Sequence, residues 1–325
     1  MRFISYIAAV LFIAASAYAD TVKIAFLASD KLNPSNAAIF NGARDAFKEL
    51  GSRFDKNFEL VYVSADQSPQ KQINQVNNLF LNQYGGAIIY AVHGTQKELS
   101  KLIPKLRESG FFMASVGAEI PDSQCVYHVG TDSDLFAQYL EREITILGGG
   151  RLKEVLCYFH SLSGSKKLSL SDKAEIEKLI YPHIQFDQFE KIFKPFGPYK
   201  MVEMAHYAIY SQENKVEILR YDNYGEVFFS PEILASMAPI PNDSDRRFAI
   251  CLGALPQLDF YLKTRQLDAV IFDDYYGWGY YGARALAEKI IEGTDAENPK
   301  RLLRPLLAKP STAKSFADDW VRWLK

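Results

Sequence analysis

The chain has 325 residues, with 37 Lys and Arg against 39 Asp and Glu for a formal net charge of −2, and 48 % of its residues are apolar. That charge balance excludes a nucleic-acid binder, which needs a clustered basic surface to meet phosphates. The apolar fraction is that of an ordinary globular protein and excludes a disordered chain.

The first segment, Met1 to Ala19, reads as an export signal. Arg2 is followed by an apolar run from Ile4 to Ala15 and then by Ala17-Tyr18-Ala19 before Asp20. Small residues at the first and third of those positions fit a signal peptidase, so cleavage is expected between Ala19 and Asp20. The apolar run is shorter than the about 20 residues that cross a hydrocarbon core. No Cys stands at the cut to carry a lipid, so the mature chain is expected to be a soluble periplasmic protein and not a lipoprotein. Losing Arg2 takes the formal charge from −2 to −3. Roughly 300 residues remain, more than one usual core, which predicts two lobes.

From Val22 strands and helices alternate. Val22–Ala28 is a run apolar but for Lys23, the mark of a strand covered on both faces. Pro34 opens a helix with Ala38, Ala43, Phe47 and Leu50 on one side, and Gly51 is expected to end it. Phe58–Val63 is the next strand. A helix over Pro69–Gln83 places Ile73, Val76, Leu79 and Phe80 on one face. Ala87–Val92, a helix over Gln96–Ser109, and Phe111–Val116 follow. Such alternation predicts a parallel sheet wound by right-handed crossovers. Val126–Val129 and a helix over Asp132–Leu147 lead to the joint Gly148-Gly149-Gly150. Strand Glu154–Phe159 starts a second series. Between Ser161 and Asn214 only a helix at Asp172–Ile180 and a Pro/Phe-rich passage around Pro195–Pro198 stand out. Strands return at Glu226–Phe229, Phe248–Leu252 and Ala269–Phe272, with helices near Gly277–Glu292 and Thr312–Leu324.

Cys125, Cys157 and Cys251 are an odd number, so at most one disulfide can form. Cys157 and Cys251 lie in apolar runs, and three free, mostly buried thiols are expected. Neither they nor the five His show a metal-binding spacing.

Several stretches carry a family resemblance. Asn33-Pro34 with Asn41–Gly51, the Gln/Asn-rich Ser64–Leu79, Val129–Leu140, and Phe272–Leu286 (FDDYYGWGYYGARAL) resemble the type I periplasmic substrate-binding proteins of the ribose/galactose-binding group, which serve ABC transporters. The resemblance spans most of residues 22–147 and 248–307 and is weak across 161–225. It implies an α/β fold of two doubly wound parallel-sheet lobes joined by a three-stranded hinge. The lobes would be 20–131 plus 274–303 and 132–273 plus 304–325. It further implies a monomer without a cofactor that closes on a small polar, carbohydrate-like ligand and hands it to an inner-membrane ABC permease or a sensor receptor. Ligands of open α/β sheets bind beyond the carboxyl ends of the strands. Those ends place Asn33, Asn36, His93, Glu119, Asp132, His160, Glu232, Asp273 and Tyr276 as the candidate ligand-binding residues.

The departures from the family pattern fall on the same positions. Two aromatics expected after Asn-Pro are Ser35-Asn36 here, an Asp-Arg pair after the fourth strand is Gly117-Ala118, and a Gly-x-Asp is Cys251-Leu252-Gly253. The Gln of the second crossing is Asp273, an Asn-Asp is Pro231-Glu232, and an Arg early in the second lobe has no counterpart. Charge-assisted hydrogen bonds are worth around 1.5–3 kcal/mol each, so the inherited pentose or hexose site is not expected to be intact. Two readings stay open: a cleft rebuilt for another ligand, or a partner protein that senses or scaffolds, docking on a histidine kinase or chemoreceptor. His93 and His160, at strand ends, also suit loop or capping roles. The run Tyr275, Tyr276, Trp278, Tyr280, Tyr281 is expected to pack its helix. Gly148–Gly150 lacks a phosphate-loop Lys, and Ser161–Gly164 lacks a nucleophile elbow, so no enzyme is expected.

Overall fold

The computed structural model describes residues 21–150, 152–161, 166–180, 183–196, 199–205, 223–235, 240 and 244–325; the export signal and its cut site lie outside the described residues. Two compact units emerge, Met1–Val129 with Tyr276–Arg301, and Gly130–Tyr275 with Leu302–Lys325. Among the described residues no helix is long and apolar enough to cross a membrane.

The first sheet has six strands: β1 (Thr21–Ala28), β2 (Asn57–Ser64), β3 (Gly86–Tyr90), β4 (Phe112–Val116), β5 (Tyr127–Thr131) and β12 (Lys300–Leu303), in the order β12-β5-β4-β3-β1-β2. Neighbours from β2 through β5 pair in parallel. β1 lies inside the sheet, and Ile24 to Ala28 are fully buried, as the unbroken apolar run requires. The crossovers are α1 (Pro34–Phe54), α2 (Pro69–Asn77) and α3 (Gln96–Glu108), with α9 (Tyr275–Glu292) returning late in the chain. Pro34 and Pro69 sit in the first turns, behind the caps Asn33 and Ser68.

Two helix ends differ from the sequence expectation. Gly51 does not stop α1, which runs on to Phe54 and ends at Asp55 in the left-handed region at φ 50°. Gly51 serves close approach instead: a Cβ there would stand 2.7 Å from the Lys56 carbonyl oxygen. α2 stops at Asn77, six residues before Gln83, and the following turns reach a left-handed Gln83 at φ 57°. Leu79 still packs inward, but Phe80 leaves the helical face and is 47 % exposed.

The second sheet holds β6 (Glu154–Ser161), β7 (Lys166–Leu168), β8 (Tyr199–Ala205), β9 (Tyr224–Phe228), β10 (Arg246–Leu252), β11 (Ala269–Phe272) and β13 (Leu306–Ala308), in the order β13-β11-β10-β9-β6-β8-β7. β13 and β7 are antiparallel edges on a parallel centre. Its helices are α4 (Ser133–Gly148), α5 (Lys173–Ile180), α6 (Phe186–Phe193), α7 (Pro231–Ala235), α8 (Leu258–Lys263) and α10 (Ala313–Trp323). The interval that gave few sequence signals contains β7, α6 and β8. In α6 the residues Phe186, Phe189 and Phe193 recur at helical spacing, and Phe189 and Phe193 join Phe159, Tyr199 and Phe229 in one aromatic cluster. Phe159, Phe189, Phe193 and Phe229 belong to the core of the second unit, with Tyr199 packed against them. The three cysteines are unpaired, Cys157 and Cys251 are buried, and burial pushes both thiols well above their ordinary pKa.

One buried titratable group sets an acid limit on the first unit. His128 on β5 is 7 % exposed and places Nδ1 3.0 Å from Ser115 Oγ on β4. Burial lowers its pKa from 6.5 to about 4. The unfolded chain therefore takes up the proton first, so the stabilisation is fully present above pH 6.5 and is lost as pH falls towards 4. The whole effect is roughly 3 kcal/mol. Urea unfolding at pH 7 and pH 4 should show the stability gap between the native protein and His128→Gln shrinking by about that amount; a constant gap would mean that His128 is solvated.

Candidate functional site

Polar side chains gather at the carboxyl ends of the parallel strands, and each unit is built differently there. In the first unit the β1–α1 loop turns on Asn33, whose Oδ1 accepts from the Ser35 N–H at 2.9 Å and caps α1. Ser29 Oγ donates to Asn36 Oδ1 at 3.3 Å. Asn36 is fully buried, and its Nδ2 has no hydrogen-bond partner among the described residues. A buried amide left so is costly unless something completes it. The positions where the family pattern calls for aromatics are thus taken by an inward-facing polar pair.

His93 lies exposed in the β3–α3 turn. The turn is braced by buried Gln72, which accepts from Val92 N–H at 2.8 Å and donates to the Tyr90 carbonyl at 3.0 Å. At the end of β4, Gly117 adopts φ 82°, and a Cβ there would stand 2.5 Å from Cε2 of Tyr90 and 3.3 Å from Trp278. The Tyr90 and Trp278 rings lie 6.0 Å apart at 55°. An aromatic wall thus fills the volume that an aspartate at 117 would need. Glu119 is turned outward, half exposed, and pairs with Lys300. Tyr276 hydrogen-bonds Asp45 Oδ2 through its hydroxyl at 2.9 Å and stacks on Tyr280, so its polar end is engaged along the α1–α9 face.

In the second unit Asp132 caps α4, accepting from Leu135 N–H at 3.0 Å. Glu232, in the first turn of α7, accepts from Ser230 Oγ at 2.5 Å. His160 lies on β6, but its side chain is outside the described residues. Asp273 follows β11 directly, and Asp273 and Asp274 both lie beyond the strand's end. Asp273 is 2 % exposed, and its Oδ2 stands 3.5 Å from Nδ1 of His183. Phe136 stacks on the His183 ring at 5.3 Å and 27°.

Of the candidates, the fold thus brings Asn36 together with Ser29, and Asp273 together with His183. Asn33 and Asp132 serve as caps, while Glu119 and His93 are exposed. His183 was not legible beforehand. It lies between α5 and α6, in the interval with few signals, and only its contact with Asp273 marks it. Among the described residues no cluster of His, Cys, Asp and Glu could hold a metal ion.

No protein-family model matches the chain, and no curated protein matches it in sequence. Solved structures do match in fold. A galactofuranose-binding protein superposes with a TM-score of 0.68 at 13 % identity, covering 94 % of this chain and 100 % of that one. An ABC transporter solute-binding protein from Bacillus halodurans C-125, with bound myo-inositol, gives 0.65 at 14 % identity over 93 % and 99 % of the two chains. A chain of the XylFII–LytSN complex gives 0.62 at 16 % identity over 90 % and 98 %. The class is therefore fixed at the level of architecture: a two-unit α/β fold with helices on both sides of parallel-dominated sheets, shared with the type I periplasmic binding proteins.

Proposed function

We propose that the protein is an extracytoplasmic binding protein, not an enzyme, that captures a small polar, carbohydrate-like ligand and presents it to an ABC transporter. The observation that carries this reading is the pair of buried, incompletely hydrogen-bonded groups at strand carboxyl ends, Asn36 Nδ2 in one unit and Asp273 Oδ2 in the other. They stand on a fold shared with proteins that hold galactofuranose and myo-inositol. Buried amides and carboxylates want partners, and polyol hydroxyls supply both donors and acceptors. A ligand engaging groups of both units favours a closed arrangement by its differential affinity, which is hinge closure. Export by a cleaved signal, residence in the periplasm and action as a monomer belong to the same proposal.

The test is small-angle scattering and thermal melting against a broad panel of sugars and polyols. At least one compound should compact the protein and raise its melting temperature; none doing so defeats the transport reading. Asp273→Ala should weaken binding by roughly 1–3 kcal/mol, the cost of unpaired buried groups. Asn33→Ala should cost a similar amount of affinity if the amide meets ligand, and also about 1 kcal/mol of stability through the lost cap. Calorimetry with parallel melting curves separates the two effects; unchanged affinity in both variants with native melting means that the ligand sits elsewhere.

A second reading is a sensing or scaffolding partner of a membrane histidine kinase or chemoreceptor. Tyr90 filling the space above Gly117 favours it, because the gripping pair expected there is gone. So does the structural neighbour solved in complex with LytSN. Binding to a receptor ectodomain, with no response to any small molecule, would select this reading.

A further inference from the structure

We propose that His183, backed by Asp273, is the hydroxyl-gripping side chain of the second unit, standing where a side chain at position 253 would otherwise stand. The inference rests on the binding-protein reading and names its ligand class: a neutral polyhydroxylated compound, not a sugar acid.

Gly253 closes β10 with φ 77° and a backbone N–H bonded to the Ile271 carbonyl at 2.8 Å. A Cβ on it would lie 3.2 Å from Cε1 and 3.3 Å from Nε2 of His183, and 3.1 Å from Pro231 Cδ. The imidazole edge therefore occupies the direction that a residue-253 side chain would take. Three contacts fix the ring there. The His183 backbone N–H donates to the Ile180 carbonyl at 3.0 Å and holds the turn, Phe136 stacks on the imidazole face, and Nδ1 is turned to Asp273 at 3.5 Å.

Asp273 sets the role of the ring. Its buried Oδ2 makes no full hydrogen bond, so the neighbouring Nδ1 is best placed as a donor towards it. Nε2 lies on the Gly253 side, where it is the ring atom that meets a ligand hydroxyl. Two further side chains at strand ends, Asp132 and Glu232, are acids. A ligand carboxylate would meet like charges, whereas a hydroxyl can donate to any of them.

Calorimetry against neutral sugars and polyols (ribose, galactose, glucose, myo-inositol and further members), with galacturonate and glucuronate as acid counterparts, tests this. The native protein should bind a neutral member and bind the acids at least tenfold more weakly. His183→Ala should lose at least tenfold in affinity while keeping a native circular-dichroism spectrum; if it loses its fold, His183→Gln, which keeps an acceptor, should retain most of the affinity. Gly253→Asp alone should crowd the imidazole and lower the melting temperature, and adding His183→Ala should recover only the part due to the ring, because the strain of φ 77° and the contact with Pro231 Cδ remain. Full affinity in a folded His183→Ala overturns this inference alone. Preference for the acids overturns the ligand class. A native protein that binds no member overturns the binding-protein reading and this inference with it.

Discussion

Gly279→Ala is expected to cost the first unit at least about 3 kcal/mol of stability, and Gly279→Val more. Overpacking usually costs roughly 1–3 kcal/mol when side chains can shift. Here no side chain is involved. A Cβ on Gly279 would stand 1.8 Å from the carbonyl oxygen of Ile39, and one on Gly42 would stand 2.1 Å from that of Tyr276. Helices α1 and α9 touch backbone to backbone, so relief requires the helices to part. They are also the helices that carry the Asn33 cap and buried Asn36 on one side, and Trp278 on the other. Gly148→Ala is the control. Its Cβ would meet Leu152 side-chain atoms at 3.4 Å and beyond, which is ordinary contact, so stability should hold or rise slightly. Urea unfolding of the three variants checks the contrast, and equal stabilities for Gly279→Ala and Gly148→Ala would refute the close crossing.

Arg246→Ala should destabilise the second unit by about 3–5 kcal/mol, the range for removing one member of a buried ion pair. Glu226 lies fully buried on β9, with Oε2 3.4 Å from Nη1 of Arg246 on β10 and Oε1 accepting from the Tyr158 hydroxyl at 3.1 Å. Without the guanidinium a carboxylate remains inside a low-dielectric sheet. Adding Glu226→Gln to Arg246→Ala removes that charge and should return most of the loss. This recovery distinguishes an electrostatic cause from lost packing by the arginine stem. A cost below about 1 kcal/mol for Arg246→Ala would mean that water reaches Glu226.

Much of the architecture was determined by local patterning. The unbroken apolar runs at Ile24–Ala28, Phe248–Leu252 and Ala269–Phe272 are strands buried on both faces, because a sheet covered by helices on each side leaves no polar face to write into the sequence. The starts of α1, α2 and α4 were legible as well, since Asn33, Ser68 and Asp132 cap them through short-range bonds that the residues themselves encode. Helix ends were less so. Gly51 looks like a stop by its type, but its missing side chain accommodates the Lys56 carbonyl, a contact made only when the chain folds back.

The candidate site divides along the same line. Strand-end positions follow from the alternation of strands and helices, and that alternation put Asn33, Asn36 and Asp273 at carboxyl ends. What each side chain does there was decided by neighbours remote in sequence. Asn36 is buried against Ser29, Tyr90 fills the space above Gly117, and His183 reaches Asp273 and Gly253 from a turn between two short helices. No local pattern encodes the meeting of His183 with Asp273, because it depends on the packing of α4, β10 and β11 around one ring. Local pattern fixed which positions fall at the carboxyl end of each sheet; tertiary packing settled which polar atoms there lack a full set of hydrogen bonds, since satisfaction of a buried group depends on everything folded against it.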